Sequence, residues 1–125
     1  MNAPLPESVR RALTEVTLED KWTLARGRAY MSGTQALIRL MMLQRERDLA
    51  AGLNTAGFLT GYRGSPLGSV DQTAQRAKKH LAASHITFTP GVNEDLAATS
   101  VWGTQQVNMY PGAKYDGVFS MWYGK

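Results

Sequence analysis

Thr55-Ala-Gly-Phe-Leu-Thr-Gly-Tyr62 runs directly into Arg63-Gly-Ser-Pro-Leu-Gly68. The first part is a short apolar run bounded by glycines. That is the pattern of a strand buried on both faces of a parallel sheet. The second part is a turn-rich break. Ser69 is expected to cap the helix that follows, with Gln72 as its reciprocal partner in a capping box. This helix carries Val70, Ala74, Ala77 and Leu81 on one stripe and Arg76, Lys79 and His80 elsewhere, so it packs on a sheet from the surface. Ile86-Thr-Phe-Thr89 reads as a second strand, stopped by Pro90-Gly91. Asn93 is expected to cap a third helix reaching about Asn108. Glu94 and Asp95 lie in its first turn, where the macrodipole favours anions. Pro111-Gly112 breaks the chain, and Asp116 to Tyr123 forms a third strand. Strands alternating with helices across short loops imply an α/β fold, a parallel sheet with βαβ crossovers.

Upstream, Ala36-Leu-Ile-Arg-Leu-Met-Met-Leu43 is apolar nearly all round, with Arg39 the only interruption. A helix of that kind is expected to be buried. It runs about 16–18 residues, through the charged turn Gln44 to Asp48, and Gly52 is its left-handed stop. Residues 1–28 are polar and broken by Pro4 and Pro6, and read as an N-terminal extension. Pro6 fits the first position of a short helix through Leu13, and Thr17 to Asp20 opens a second turn. Residues 29–125 then form an incomplete domain. Its last element is a strand with no helix to cover it, so the chain is expected to be the N-terminal piece of a larger fold.

Composition limits the chemistry. At 125 residues and 43% hydrophobic content there is material for one domain with a core. The 14 Lys+Arg exceed the 10 Asp+Glu by four. The longest basic cluster, Arg76-Ala-Lys78-Lys79-His80, is too short to argue for nucleic acid or a membrane surface. With no cysteine, the chain itself supplies no disulfide, thiolate zinc site, cysteine nucleophile or iron–sulfur ligand. Two histidines, His80 and His85, are too few for a His-rich metal site, and no metal site is expected. No apolar run approaches a membrane span. Met1 to Pro6 lacks the order of a signal peptide, so a cytoplasmic location is expected.

Ligands of open parallel sheets sit at the carboxyl ends of strands. The first strand delivers Gly61 to Gly68 there. Glycine permits close approach of a ligand to the backbone, and serine offers a hydroxyl. A plain connection built of turn residues explains the segment equally well. It is neither G-x-G-x-x-G nor a P-loop. The second strand delivers Glu94, at a strand end and a helix start. A surface carboxylate stabilised by the helix dipole is the simpler account of Glu94 alone. The small residues Ala97, Ala98 and Ser100 behind it point to packing against a partner. Lys125 is either a strand-end group facing a ligand or merely the last residue. Trp22, Trp102 and Trp122 show no spacing of a stacking platform.

Several segments, taken in order, resemble the N-terminal end of the indolepyruvate/2-oxoacid:ferredoxin oxidoreductases. They are Gly33-Thr-Gln-Ala-Leu37, Ala51 to Phe58, Gly61-Tyr-Arg-Gly-Ser-Pro-Leu-Gly68, Pro90-Gly-Val-Asn-Glu-Asp-Leu-Ala-Ala-Thr99, Val101 to Val107, Tyr110 to Gly117 and Met121-Trp-Tyr-Gly-Lys125. The likeness covers about Leu18 onward and leaves out residues 1–17. It implies the start of the pyrimidine-binding domain of a thiamine diphosphate fold. Glu94 then matches the family's glutamate that hydrogen-bonds N1′ of the aminopyrimidine. A proton shared there favours the imino tautomer, whose nitrogen can take the thiazolium C2 proton. Ser65-Pro66 sits where related enzymes carry Thr-Pro, so Ser65 and the Gly64 backbone are implied to face the cofactor or the substrate carboxylate. Serine for threonine keeps the hydroxyl. The diphosphate with its Mg²⁺, and the [4Fe-4S] cluster, are implied to bind outside this chain. The implied activity is oxidative decarboxylation of a 2-oxo acid to an acyl-CoA, with coenzyme A and ferredoxin as partners of a full enzyme that includes further domains or subunits and forms a homo-oligomer. The alternatives are a non-catalytic α/β interaction module or truncated subunit and, ranked last, a flavodoxin-like nucleotide binder.

Overall fold

The computed structural model describes residues 4–125. The chain divides into two compact units, Met1–Met31 and Ser32–Lys125. In the first, α1 (Glu7–Thr14) and α2 (Asp20–Thr23) are short and bury no side chain. Pro6 is the cap of α1 and not its first helical residue: it is extended, and its carbonyl accepts from Val9 and Arg10. The Asp20 carboxylate accepts the Thr17 hydroxyl at 2.7 Å and the Thr17 N–H at 3.0 Å. The hydroxyl first, then the N–H, hold its acid below the ordinary range.

The second unit opens with α3 (Gly33–Ala50). Ser32 and Gln35 form a reciprocal capping box at its start. At its end Gly52, at φ +81°, lets Leu53 N–H reach Asp48 O and Gly52 N–H reach Leu49 O. This is a Schellman stop, as the glycine predicted. The helix is not buried all round. Ile38, Met41, Met42 and Arg45 face inward, while Leu40 and Leu49 stay about half exposed. Arg45 ties the helix to the next strand, donating to Thr55 O and to Asn54 Oδ1.

Three strands follow, β1 (Ala56–Gly61), β2 (Ile86–Phe88) and β3 (Val118–Tyr123), all parallel, in the order β2-β1-β3. This is the α/β parallel sheet expected. Between β1 and β2 the single predicted helix is two, α4 (Ser69–Arg76) and α5 (Lys78–Ala83), divided at Ala77. The stripe survives the break: Val70, Ala74, Ala77 and Leu81 are all buried. The Ser69–Gln72 capping box does not form. Gly68 is the cap and is already helical at φ −57°, ψ −22°, so Ser69 enters as a helical residue rather than in the extended form a cap requires. Between β2 and β3 lies α6 (Glu94–Thr104). Asn93 caps it as predicted, accepting Leu96 N–H at 2.8 Å. The helix stops before Asn108, because Gln105 and Asn108 turn their amides to the start of β3. Gln105 donates to Val118 O and Ser120 Oγ, and Asn108 to Asp116 O.

Residues paired across a parallel sheet share a face. Gly57, Leu59, Gly61, Ile86, Phe119 and Tyr123 therefore point to one side. There α5 packs on β2 and α3 on β1, with α4 held against α3 and α5. The other side carries Ser120 and Trp122 against α6, through Thr104 and Glu94. Helices thus cover both faces: the first crossover runs from β1 to β2, and the second returns from β2 past β1 to β3. No helix among the described residues is long and apolar enough to cross a membrane.

Candidate functional site

The order β2-β1-β3 puts a topological switch point between β1 and β3. Ligands of open α/β sheets bind in the crevice at that point, beyond the carboxyl ends of the strands. Here the crevice is bordered by Tyr62–Ser65, by Tyr123 and Gly124, and by the start of α6 with Glu94.

Glu94 is half-buried. Its backbone is fixed to β3 by Trp122 Nε1, which donates to Glu94 O at 3.2 Å. A methyl group added at Gly124 would strike the Trp122 ring and stand 3.0 Å from Glu94 Cγ. The end of β3 and the start of α6 approach so closely that a side chain at Gly124 would have to displace the Trp122 ring. The Glu94 carboxylate itself has no hydrogen-bond or ion-pair partner among the described residues. Ala97 does not serve an outside partner. It is fully buried, and it packs on Gly91, where an added Cβ would come within 2.7 Å of Ala97 Cβ. Ala98 and Ser100 are exposed.

Gly64, Ser65 and Pro66 form the turn at the end of β1. Ser65 is buried, and its Oγ accepts Leu67 N–H at 3.2 Å. The hydroxyl proton is not used by that bond. Gly64 is required by its neighbour: a Cβ there would sit 2.5 Å from the Tyr62 ring. Pro66 is exposed. Lys125 is exposed and has no ion pair among the described residues.

A polar cluster that sequence reading did not assemble lies beneath this turn. Arg63 is exposed but donates from Nη2 to Asp71 Oδ1 at 3.2 Å, and the Asp71 side chain is only 1% exposed. Asp71 Oδ2 and Tyr123 Oη are both buried without a partner among the described residues. Burial, and next the Asp71 carboxylate, push the Tyr123 phenol up to about 12, against a smaller opposing pull from Arg63. The three residues lie eight and sixty positions apart, and no local spacing signals them.

Two outcomes are expected for Tyr123→Phe. A hydroxyl that makes no bond contributes little, so stability near neutral pH is unchanged or rises by up to ~1 kcal/mol in urea denaturation. The alkaline limb also changes. The folded-state phenol titrates above its ordinary value of 10.0, so above that pH the unfolded chain has lost more protons than the native one. The protection is complete below pH ~10 and is lost as pH rises towards 12. Melting curves across that window should fall more steeply for the wild type than for the phenylalanine variant.

No cluster of three or more potential metal ligands occurs among the described residues. Comparison with protein-family models, with curated protein sequences and with solved structures gives no match.

Proposed function

We propose that this chain contributes the pyrimidine-binding part of a thiamine diphosphate-dependent 2-oxoacid:ferredoxin oxidoreductase of the indolepyruvate type, working in the cytoplasm. One observation carries the reading. An unpartnered glutamate opens a helix at the carboxyl end of the sheet, held beside Gly124, where a side chain would displace the Trp122 ring. A carboxyl in that position suits the edge of a flat heteroaromatic ring, which needs one charged partner and a close backbone wall.

Thiamine diphosphate, when bound, supplies the nucleophilic carbon that attacks the carbonyl of a 2-oxo acid. Glu94 holds a proton at N1′ of the aminopyrimidine. Asn93 fixes the helix start from which Glu94 projects, and Trp122 fixes the Glu94 carbonyl. Gly64, Ser65 and Pro66 shape the opposite wall. There the Ser65 hydroxyl, having accepted Leu67 N–H, keeps its own proton to donate to the cofactor or the substrate carboxylate. Mg²⁺ with the diphosphate, the [4Fe-4S] cluster, coenzyme A and ferredoxin are assigned to domains or subunits outside this chain.

The free side of β3 supports association with such domains, in a homo-oligomer. Pairing sends the peptide groups of Phe119, Met121 and Tyr123 to β1 and turns those of Ser120 and Trp122 outward. Leu40 and Trp122 are exposed nearby. The same edge favours the second reading, an interaction module without catalysis.

Trp122 touches the Glu94 backbone, so its fluorescence reports on the site. Thiamine diphosphate with Mg²⁺, titrated into the protein joined to its remaining domains or subunits, should give a saturable change that Trp122→Phe removes. Absence of any binding would leave the interaction module as the better account.

A further inference from the structure

A cavity of about 480 Å³ lies away from the switch point, between α5, β2 and the amino end of β1. This volume falls within the usual range for small-molecule pockets. Its walls combine two kinds of surface. Phe88 and Ala82 give an apolar side backed by the buried Leu81 and Ile86, and Lys78, His85 and Tyr115 supply the ionisable groups. No aspartate or glutamate lines it.

Two donors in this wall are uncommitted. Lys78 makes no ion pair and no side-chain hydrogen bond among the described residues. His85 uses one ring nitrogen: Nδ1 lies 3.0 Å from Tyr115 Oη, and the two rings meet edge-on at 5.9 Å and 79°. Nε2 has no partner among the described residues.

The backbone at His85 adds an independent observation. Its φ is +54°, the left-handed region, and among the described residues it is the only non-glycine residue there. The position follows the last turn of α5, where His85 N–H bonds Ala82 O. Glycine takes this place most readily, and histidine, with asparagine and aspartate, is among the few other residues enriched there. The chain keeps an imidazole here and orients it with Tyr115. A turn that merely linked α5 to β2 would need neither.

We propose that this cavity binds a small monocarboxylate carrying a planar apolar group. Lys78 Nζ and His85 Nε2 hold the carboxylate. Phe88 and Ala82 pack against the ring. The charge-assisted bonds set the requirement for an anion, and the apolar wall sets the requirement for a ring. This site is independent of the coenzyme reading.

The test uses the whole chain with 2-naphthoate as probe, followed by amide shifts in ¹H–¹⁵N spectra. Saturable shifts are expected at His85, Thr87, Phe88 and Tyr115. The neutral 2-naphthamide should bind about tenfold more weakly, and Lys78→Gln and His85→Asn should each weaken naphthoate binding about fivefold. Asparagine accepts the left-handed conformation and Lys78 is exposed, so both variants keep the fold. Their unshifted spectra away from the cavity will verify that. Shifts centred elsewhere, equal affinity for acid and amide, or wild-type affinity in both variants would overturn the site.

Discussion

Replacing Glu94 with glutamine is expected to lower turnover of a 2-oxo acid by the assembled enzyme about 10²–10⁴-fold, with little change in melting temperature. The second half of that expectation follows from geometry. The carboxylate accepts no bond among the described residues, so the isosteric amide leaves no partner stranded. Only the attraction to the helix N-terminus is lost, about 0.3–1 kcal/mol at an exposed site. The first half follows from chemistry. An amide cannot take up and return the proton at N1′, whereas the carboxyl can. Glu94→Asp keeps the acid but retracts it by one methylene from the position beside Gly124, so it should recover part of the rate. Steady-state kinetics give the turnover, and deuterium exchange at the thiazolium C2 gives the proton step directly. Wild-type turnover in the glutamine variant would remove Glu94 from the mechanism.

The position of Glu94 was legible because it rests on local signals. Asn93 is a side-chain cap, and caps are read within three residues. The apolar run from Thr55 to Tyr62, closed by glycines, marked a strand without help from tertiary contacts. A strand end followed by a capped helix is the kind of place where an open parallel sheet can seat a ligand.

What the sequence hid depends on long-range pairing. Asp71 carries no local signal of its role, and the fold buries it close enough to Tyr123, distant in the chain, to raise that phenol. The all-apolar helix from Ala36 to Leu43 promised burial on every side. Instead α3 is covered on one side only, and Leu40 is left half exposed. Hydropathy reports what a side chain tolerates, and packing partners decide what it receives. The split at Ala77 carries no proline or glycine to announce it.

Gly61→Ala is expected to destabilise the fold by about 3 kcal/mol or more, the upper end for overpacking. Gly57→Ala should cost about 1–3 kcal/mol. Both glycines lie in β1, which has neighbours on each side, so sheet propensity does not separate them. The neighbouring atoms do. At Gly57 an added Cβ meets side-chain carbons of Ile86 and Phe119 at 2.7–2.8 Å. These can rotate or shift by a few tenths of an ångström. At Gly61 it meets the Tyr123 carbonyl oxygen, which is backbone of the paired strand, and the Tyr123 ring carbons at 2.5 Å. Relief there requires β3 to move off β1. That breaks the bond from Tyr62 N–H to Tyr123 O and dislodges a ring only 4% exposed. Gly103 supplies the control of opposite sign. It lies inside α6 with nothing within 4 Å of its added Cβ, so Gly103→Ala should stabilise by about 0.5–1 kcal/mol through helix propensity alone. Urea denaturation of the three variants ranks them. Equal losses at Gly61 and Gly57 would mean that the end of β3 yields as easily as a side chain. The end of β3, beside which Glu94 is held, would then not be a rigid wall of the crevice at the β1–β3 switch point.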